Sequence, residues 1–132
     1  MSKKEIRTDG APSPIGPYSQ AIETGSMVFC SGQIPLNSKT GELVGVGREK
    51  DIAAQTRQVM DNLNAVLTAA GLTFDNVVKT GIFLKSMNDF GTVNEVYGTY
   101  FEGMIPPARA CVEVARLPKD VDVEIECIAS RN

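Results

Sequence analysis

The feature that most constrains the fold is a helical repeat in the middle of the chain. Between about Asp51 and Ala70, apolar and small side chains recur in steps of three and four residues, as on one face of an α-helix. The residues of this stripe are Ile52, Thr56, Val59, Met60, Leu63, Val66, Leu67 and Ala70. Gly71 follows, and glycine commonly ends a helix because it adopts a left-handed backbone without strain. The repeat predicts one long helix with a single buried face.

Segments with strand character stand on both sides of this helix. The Met27–Gln33 segment begins with four apolar residues and predicts a buried strand, and Tyr18–Thr24 predicts a weaker one. Residues 23–26, with the sequence ETGS, are typical of a hairpin turn between the two. Further elements are predicted, in chain order, as a strand at Asn76–Lys85, a helix from about Asp89 to Glu102, and strands at about Ala108–Ala115 and Val121–Ala129.

This order of elements predicts an α+β fold in a single domain that spans residues 1–132. Its two helices would pack on one face of a mixed sheet. In the strand at 77–84, both alternating sets of side chains are largely apolar: Val77, Thr80 and Leu84 mix with Val78, Ile82 and Phe83. The second face of the sheet is therefore predicted to be covered too, which favours a homo-oligomer.

The chain contains no histidine, which excludes several classes of enzyme site. Ser-His-Asp and Cys-His catalysis and histidine-based zinc sites all require that residue. The three cysteines, Cys30, Cys111 and Cys127, are widely spaced and form no CxxC motif, so neither a metal nor another cofactor is predicted. Free thiols without a signal-peptide pattern are typical of a reducing compartment, so a cytoplasmic protein is expected.

Charge and hydropathy argue against two kinds of partner. The net charge is −3, the isoelectric point is near 4.9, and no basic block occurs, so nucleic acid is not an expected partner. No apolar run approaches the ~20 residues that span a bilayer, so no membrane association is expected either. These averages leave room for one local cationic pocket.

The last two predicted strands carry charges that strand cores usually avoid. Because side chains alternate along a strand, Ala110, Val112 and Val114 share one face and are expected to look toward the helices. Arg109 and Cys111 occupy the other face of that strand. In the last strand, the apolar side chains that begin with Val121 share one face, and Glu124 lies on the other face. The alternation therefore favours Arg109 and Glu124 on the same sheet face, away from the helices.

A tight hairpin between these two strands would have an electrostatic cost. Closing it at residues 117–120 would set Glu113 opposite Glu124, and directly opposed like charges destabilise a sheet. Either the register is different or another strand lies between the two.

Each of these residues has an ordinary interpretation beside a functional one. Arg109 could be a rim arginine in a surface or interface ion pair, or it could bind an anionic ligand bidentately. Glu124 could be a solvated strand residue, or, in a cleft, an acid whose raised pKa suits proton transfer. The Cys111 thiol is more typical of a small core residue than of a nucleophile, because no histidine lowers its pKa.

Four motifs in order resemble the Rid family of reactive-intermediate deaminases, also called YjgF. They are IGPYSQA (15–21), CSGQIPLN (30–37), VNEVYGTYF (93–101) and PPARACVEVARLPKDVDVEIECIA (106–129). The resemblance extends over nearly the whole chain and is strongest to the RidA subgroup, the 2-iminobutanoate/2-iminopropanoate deaminases. It implies a chorismate-mutase-like fold and a homotrimer with active sites in the clefts between subunits.

The resemblance also implies roles for particular residues. Arg109 would hold the substrate carboxylate, Glu124 would position or activate water, and Cys111 would contribute its backbone N–H. Further pocket residues implied are Tyr18, Ser31, Gly32, Asn88, Phe90 and Tyr97, of which the last three are expected to come from the neighbouring subunit.

The implied reaction is hydrolysis of 2-imino acids to 2-oxo acids and ammonia. A protonated imine carbon is already electrophilic, so this chemistry requires no histidine, metal or cofactor. Two alternatives stay open: a module that binds 2-oxo acids without turnover, and a ribonuclease or translation inhibitor like some relatives. The acidic composition counts against the second alternative.

Overall fold

The structure, a computed structural model, describes residues 2–132. It consists of one six-stranded sheet and two α-helices. The strands are β1 (Lys4–Ile6), β2 (Ala21–Thr24), β3 (Met27–Gln33), β4 (Val77–Leu84), β5 (Ala108–Glu113) and β6 (Val123–Ser130), and the helices are α1 (Ile52–Ala69) and α2 (Phe90–Thr99). The predicted α+β class is confirmed, and each predicted helix and strand is present. The Met27–Gln33 strand has its predicted ends, and the ends of the other elements differ from the prediction by up to three residues. The short strand β1 was not predicted.

The strand order is β1-β2-β3-β6-β4-β5. All neighbours are antiparallel except β4 and β5, which run parallel. Strand β4 thus separates β5 from β6, so the two C-terminal strands never pair with each other. Of the two alternatives left open by the sequence, an intervening strand is the one observed. It also keeps Glu113 from lying opposite Glu124.

Helix α1 has defined caps at both ends. The Asp51 carboxylate accepts a hydrogen bond of 2.9 Å from the Ala54 N–H at the first turn. At the other end Gly71 has φ +78°, and the Leu72 N–H donates to the Leu67 carbonyl at 2.8 Å. This is a Schellman motif, which satisfies carbonyls that the helix leaves without partners. The predicted C-terminal role of Gly71 is confirmed.

The core lies between the helices and one face of the sheet. Every residue of the predicted α1 stripe is buried, and the inward residues of the central strands β4 and β6 are buried with it. In β4 the register against β6 shifts between Val77 and Lys79. This bulge lets Val77 and Thr80 both face the core although their positions differ in parity. The mixed pattern that the sequence shows in this strand has this local cause.

The opposite face of the sheet is exposed in the single chain. Three apolar side chains on it, Phe29, Val78 and Val112, are each 45–47% exposed. Ala110, beside Val112, is exposed as well. The expectation that Ala110 and Val112 face the helices is therefore wrong. The parallel register aligns Ala110 with Gly81 and Val112 with Phe83, both on the outer face of β4.

One buried polar pair anchors the long loop between β3 and α1. Gln55 in α1 is fully buried, and its amide nitrogen donates to the Asp122 carboxylate at 2.8 Å and to the Gly45 carbonyl at 2.8 Å. Its amide oxygen accepts from the Asp122 N–H at 3.0 Å. One side chain thus ties the helix, the loop and the entrance to β6 together.

In the described residues, no helix is long and apolar enough to cross a membrane.

We expect Gln55→Ala to lower the free energy of unfolding by about 2–4 kcal/mol, because it creates a cavity and removes the amide that pairs with the buried carboxylate and N–H of Asp122. Urea unfolding followed by circular dichroism measures the change. Asn64→Ala is the matched control, since Asn64 is an exposed amide residue of the same helix. The control should change stability by less than about 0.5 kcal/mol. Equal effects of the two substitutions would contradict the anchoring role.

Candidate functional site

The residues predicted for the site fall into two groups on opposite faces of the sheet. Arg109 is aligned with Thr80, whose side chain is buried on the helix face. Glu124 is aligned with Phe83 and lies between the buried residues Val123 and Ile125, so it faces the other way. The expectation that Arg109 and Glu124 share the face away from the helices is therefore wrong. The pairing of β5 with β4 decides which face Arg109 occupies, and alternation along β5 alone does not reveal that pairing.

The first group is an arginine cluster formed by Phe90, Asn94, Tyr97 and Arg109. The guanidinium carbon lies 5.5 Å from the centre of the Phe90 ring and 5.2 Å from that of the Tyr97 ring. One of its terminal nitrogens, Nη1, donates a hydrogen bond of 2.6 Å to the Asn94 side-chain oxygen. All three partners come from α2, so β5 supplies the cation and the helix supplies its support.

Arg109 has no acidic partner in the part of the chain that the structure describes. The side chain is exposed, so its N–H groups that do not bind Asn94 face outward. Aromatic faces stabilise a cation without neutralising it. The cluster thus presents an unpaired, oriented guanidinium, which suits an incoming carboxylate. Within residues 2–132, Arg109 therefore forms no surface ion pair.

Tyr97 connects the cluster to the core. Its ring is buried, and its hydroxyl shares a hydrogen bond of 2.7 Å with the Thr80 hydroxyl. Burial raises the pKa of Tyr97, which keeps the phenol neutral. Cys111 lies two residues after Arg109 on the same face, packed partly against the core. Burial also raises the pKa of its thiol, which agrees with an unreactive side chain.

Phe90 and Tyr97 belong to the same chain as the arginine they contact. The resemblance implies that both line the cleft from the neighbouring subunit, and for the cleft around Glu124 this stays a prediction. Asn88 is exposed in the short 3₁₀ turn Met87–Asp89 that leads into α2, two residues before Phe90. Its side chain makes no hydrogen bond within residues 2–132, whereas its backbone N–H donates to the Ser86 hydroxyl at 3.2 Å.

The second group lines a glutamate cleft on the outer face. This cleft has a volume of 430 Å³ and is formed by Ile15, Tyr18, Ser31, Gly32, Ile34, Pro118, Glu124 and Glu126. It therefore contains four of the predicted site residues, namely Tyr18, Ser31, Gly32 and Glu124. The isoleucines and Pro118 make part of the wall apolar. A small ligand with an aliphatic group and a polar group fits this composition.

Gly32 leaves room for the Glu124 carboxylate at the position that it occupies in this structure. A Cβ placed on Gly32 would lie 2.5 Å from a carboxylate oxygen of Glu124, which is closer than any side-chain contact allows. The acid therefore rests directly against the backbone of β3. Burial raises the pKa of Glu124, and the nearby charge of Glu126 raises it further. An acid in this state suits proton transfer near neutral pH better than a solvated glutamate does.

Gln20 and Ser31 shape the cleft by holding the loop that forms one of its walls. Gln20 is buried, and its side chain bonds the backbone of Thr8, Ala11 and Pro12 at 2.8–3.3 Å. These bonds hold the proline-rich loop that carries Tyr18. The Ser31 hydroxyl donates to the Ser19 carbonyl at 2.6 Å, so it positions the same loop.

The C-terminal segment 106–128 contributes Pro118 to the wall of the cleft, and a turn with an unusual backbone conformation follows it. Lys119 and Asp120 follow it with φ of +56° and +58°, a left-handed backbone that is unfavourable for lysine. Arg116 secures the turn by binding both carboxylate oxygens of Asp120, at 2.7 and 3.3 Å. The sequence Pro118-Lys119-Asp120 does not by itself predict this conformation, although aspartate tolerates a left-handed backbone.

Cys30 and Cys127 meet across the paired strands β3 and β6, and both are buried. Cys111 lies apart from them on β5. Within residues 2–132, no group of three or more cysteine, aspartate or glutamate side chains is placed to hold a metal ion.

Known proteins resemble this chain over nearly its full length. The family model described as Endoribonuclease L-PSP matches residues 8–131. The 2-iminobutanoate/2-iminopropanoate deaminase of Escherichia coli K12 is 52% identical over 130 residues, which cover 97% of this chain and 98% of that protein.

Two solved structures have the same fold. A Yersinia pestis protein described as a member of the conserved Rid family is 52% identical and superposes with a TM-score of 0.92, covering 98% of this chain and 99% of that one. Escherichia coli TdcF with bound serine is 46% identical with a TM-score of 0.91, at the same coverage of both chains. The arginine cluster, the glutamate cleft and these similarities lead to one conclusion: this chain belongs to the Endoribonuclease L-PSP family, the YjgF or Rid family.

Proposed function

We propose that this protein hydrolyses reactive 2-imino acids, such as 2-iminobutanoate and 2-iminopropanoate, to 2-oxo acids and ammonia in the cytoplasm. The observation that carries the proposal is the oriented Arg109 guanidinium without an acidic partner. The Escherichia coli relative, 52% identical, bears the name of this deaminase. The relative with bound serine supports a pocket in this family that accepts a small molecule with a carboxylate.

Arg109 would bind the carboxylate of the substrate through two N–H groups and so fix its orientation. The imine carbon would then lie beside a water molecule held by Glu124. As the water attacks, Glu124 takes one of its protons and a tetrahedral carbinolamine forms. The same carboxyl group then gives that proton to the nitrogen. As the C–N bond breaks, the hydroxyl oxygen forms the C=O bond and gives its proton back to the Glu124 carboxylate. The 2-oxo acid leaves, and the departing ammonia takes up this proton as ammonium, which restores the carboxylate. Positioning of the reactants supplies most of the catalysis.

The Cys111 backbone N–H is the proposed second contact to the substrate carboxylate, and its thiol has no chemical role. Tyr18 and Gly32 would close the space around the substrate at the cleft. Asn88, which has no internal side-chain hydrogen bond in the described residues, would complete the rim near Phe90.

The active site would be composed of two subunits. Arg109 and Glu124 lie on opposite faces of one sheet, so a small substrate cannot reach both within one chain. A second copy can bring its glutamate cleft against the first copy's arginine cluster. Repeating this head-to-tail contact around an axis closes a ring. We propose the homotrimer implied by the resemblance, with one site in each of its clefts and the apolar outer face of the sheet turned toward the centre.

The family description also raises ribonuclease activity as a second candidate. The acidic net charge of −3 and the single oriented cation favour a small carboxylate over a polyanion. Loss of any RNA cleavage from highly purified protein, with deaminase activity retained, would dispose of the second candidate.

Arg109→Ala should lower kcat/KM for imine hydrolysis by about 100-fold or more, because the charged hydrogen bonds to the carboxylate are lost. The imine is generated by an amino-acid oxidase, and semicarbazide competes for it, so the rate of trapping measures the activity. Cys111→Ala is the control from the same strand and should keep most of the activity. Full activity of Arg109→Ala would remove the anchor role, and no acceleration by the wild type would refute the proposed reaction.

Mixing two inactive variants tests the shared site. Arg109→Ala and Glu124→Gln are each expected to be inactive alone. After joint unfolding and refolding, every mixed trimer regains one intact site, because one subunit supplies Arg109 and the next supplies Glu124. A random mixture should recover about a quarter of the wild-type activity, since three quarters of the trimers are mixed and one site in three is intact. No recovery, with mixed trimers shown by native mass spectrometry, would place both residues in one subunit.

The pH dependence should report the environment of Glu124. It acts on water as the carboxylate, so activity should fall as the pH drops through its raised pKa. Glu126→Gln removes the neighbouring charge that helps raise that pKa. The acidic limb of the kcat/KM profile should therefore move to lower pH in this variant. Glu95→Gln, an exposed change on α2, should leave the limb in place, and an unmoved limb in Glu126→Gln would contradict the coupling.

A further inference from the structure

Within residues 2–132, Asn94 is the one side chain that accepts a hydrogen bond from the Arg109 guanidinium. The two aromatic rings lie 5.2 and 5.5 Å from the guanidinium carbon and restrict where the cation sits. Aromatic contacts have little directional preference within the plane of the guanidinium, so they leave its rotation free. The hydrogen bond of 2.6 Å from Nη1 to the Asn94 oxygen supplies the missing constraint.

The chemistry of this partner differs from that of an ordinary arginine partner. A guanidinium has five N–H groups, and an amide oxygen occupies one of them without bringing a negative charge. An aspartate at the same place would accept a similar bond but would also neutralise the cation. It would then compete with any ligand carboxylate for the same N–H groups. A neutral acceptor therefore orients the arginine and leaves its charge available.

Nothing else in the structure explains the pairing. Asn94 is an exposed residue in the middle of α2, and it makes no other side-chain hydrogen bond within residues 2–132. Asparagine is only a moderate helix former, and alanine would stabilise this position of an exposed helix slightly. A role in stability therefore gives no reason for asparagine here, whereas a role in aiming Arg109 does.

We infer that Asn94 is a positioning residue for carboxylate recognition: its neutral amide aims the Arg109 guanidinium at the substrate carboxylate and preserves the full charge of the cation. Asn94 does not itself contact the substrate in this arrangement; it acts through Arg109. The inference rests on the proposed function for its kinetic consequence, but its effect on the binding of a carboxylate is independent of turnover.

Two variants of Asn94 separate this role from a structural one. Asn94→Ala removes the acceptor, and Asn94→Asp keeps an acceptor of nearly the same shape but adds a charge. We expect neither substitution to lower the unfolding midpoint, and Asn94→Ala to raise it slightly. Both should raise KM for the imine about tenfold while kcat changes less. In Asn94→Ala the guanidinium no longer has a fixed orientation toward the substrate carboxylate, and in Asn94→Asp the added carboxylate neutralises the charge of Arg109. Glu95→Gln, the adjacent exposed residue, serves as the control and should behave as wild type.

Calorimetric binding of 2-oxobutanoate, the expected product, is measured on the same proteins. Weaker binding to both Asn94 variants and unchanged binding to Glu95→Gln would support the inference. If Asn94→Asp binds as well as the wild type or better, the argument from neutrality is wrong. If both variants match the wild type in KM and in binding, Asn94 has no positioning role.

The kinetic measurement and the binding measurement together distinguish this inference from the proposed function. A wild type that binds 2-oxobutanoate through Arg109 without hydrolysing imines would refute the proposed reaction. Calorimetric binding to the Asn94 variants would still decide the role of Asn94. A wild type that neither binds nor hydrolyses would overturn both.

Discussion

The parallel pairing of β4 with β5 is the constraint on which the rest of the site depends. It inserts β4 between the two C-terminal strands and sets the phase of β5 by aligning Arg109 with Thr80. Because Thr80 faces the helices, Arg109 does too, and only there can it meet the side chains of α2. A shift of β5 by a single residue would move the arginine to the outer face and separate it from all three of its partners.

The site separates its two electrostatic tasks in space. On the helix face, a cation is held by two aromatic rings and a neutral amide, so it stays charged and unpaired. On the outer face, a carboxyl group rests on the backbone at Gly32, where burial and a second acid raise its pKa. If both groups were neighbours in one chain, they would form an ion pair, which would lower the pKa of the acid and occupy the arginine. Their separation keeps each one reactive until a second subunit and a substrate bring them together in the proposed assembly.

Prediction from the sequence succeeded where a local pattern determines the outcome. The α1 stripe, the hairpin before Met27 and the helix end at Gly71 all follow from periodicity or from one residue's backbone preference, and each is confirmed. The family resemblance directed attention to Arg109 and Glu124, and their roles stay predictions. The structure shows an arginine without an acidic partner within residues 2–132 and a glutamate whose pKa is raised by burial. Asn94 and Gln20 were missed because a polar residue on a helix or at a strand entrance carries no signal until its partner is known.

Periodicity, composition and motifs alone therefore indicate both helices, every strand except β1, the α+β class, the exclusion of histidine chemistry and the family. The tertiary structure decided which face each charged residue occupies, because a strand's alternation defines two faces but does not say which of them meets the core. That choice depends on the neighbouring strand, and β4 and β5 are brought together from segments separated by an entire helix. The grouping of Arg109 with α2 and of Glu124 with the proline-rich loop is therefore a property of the folded chain alone.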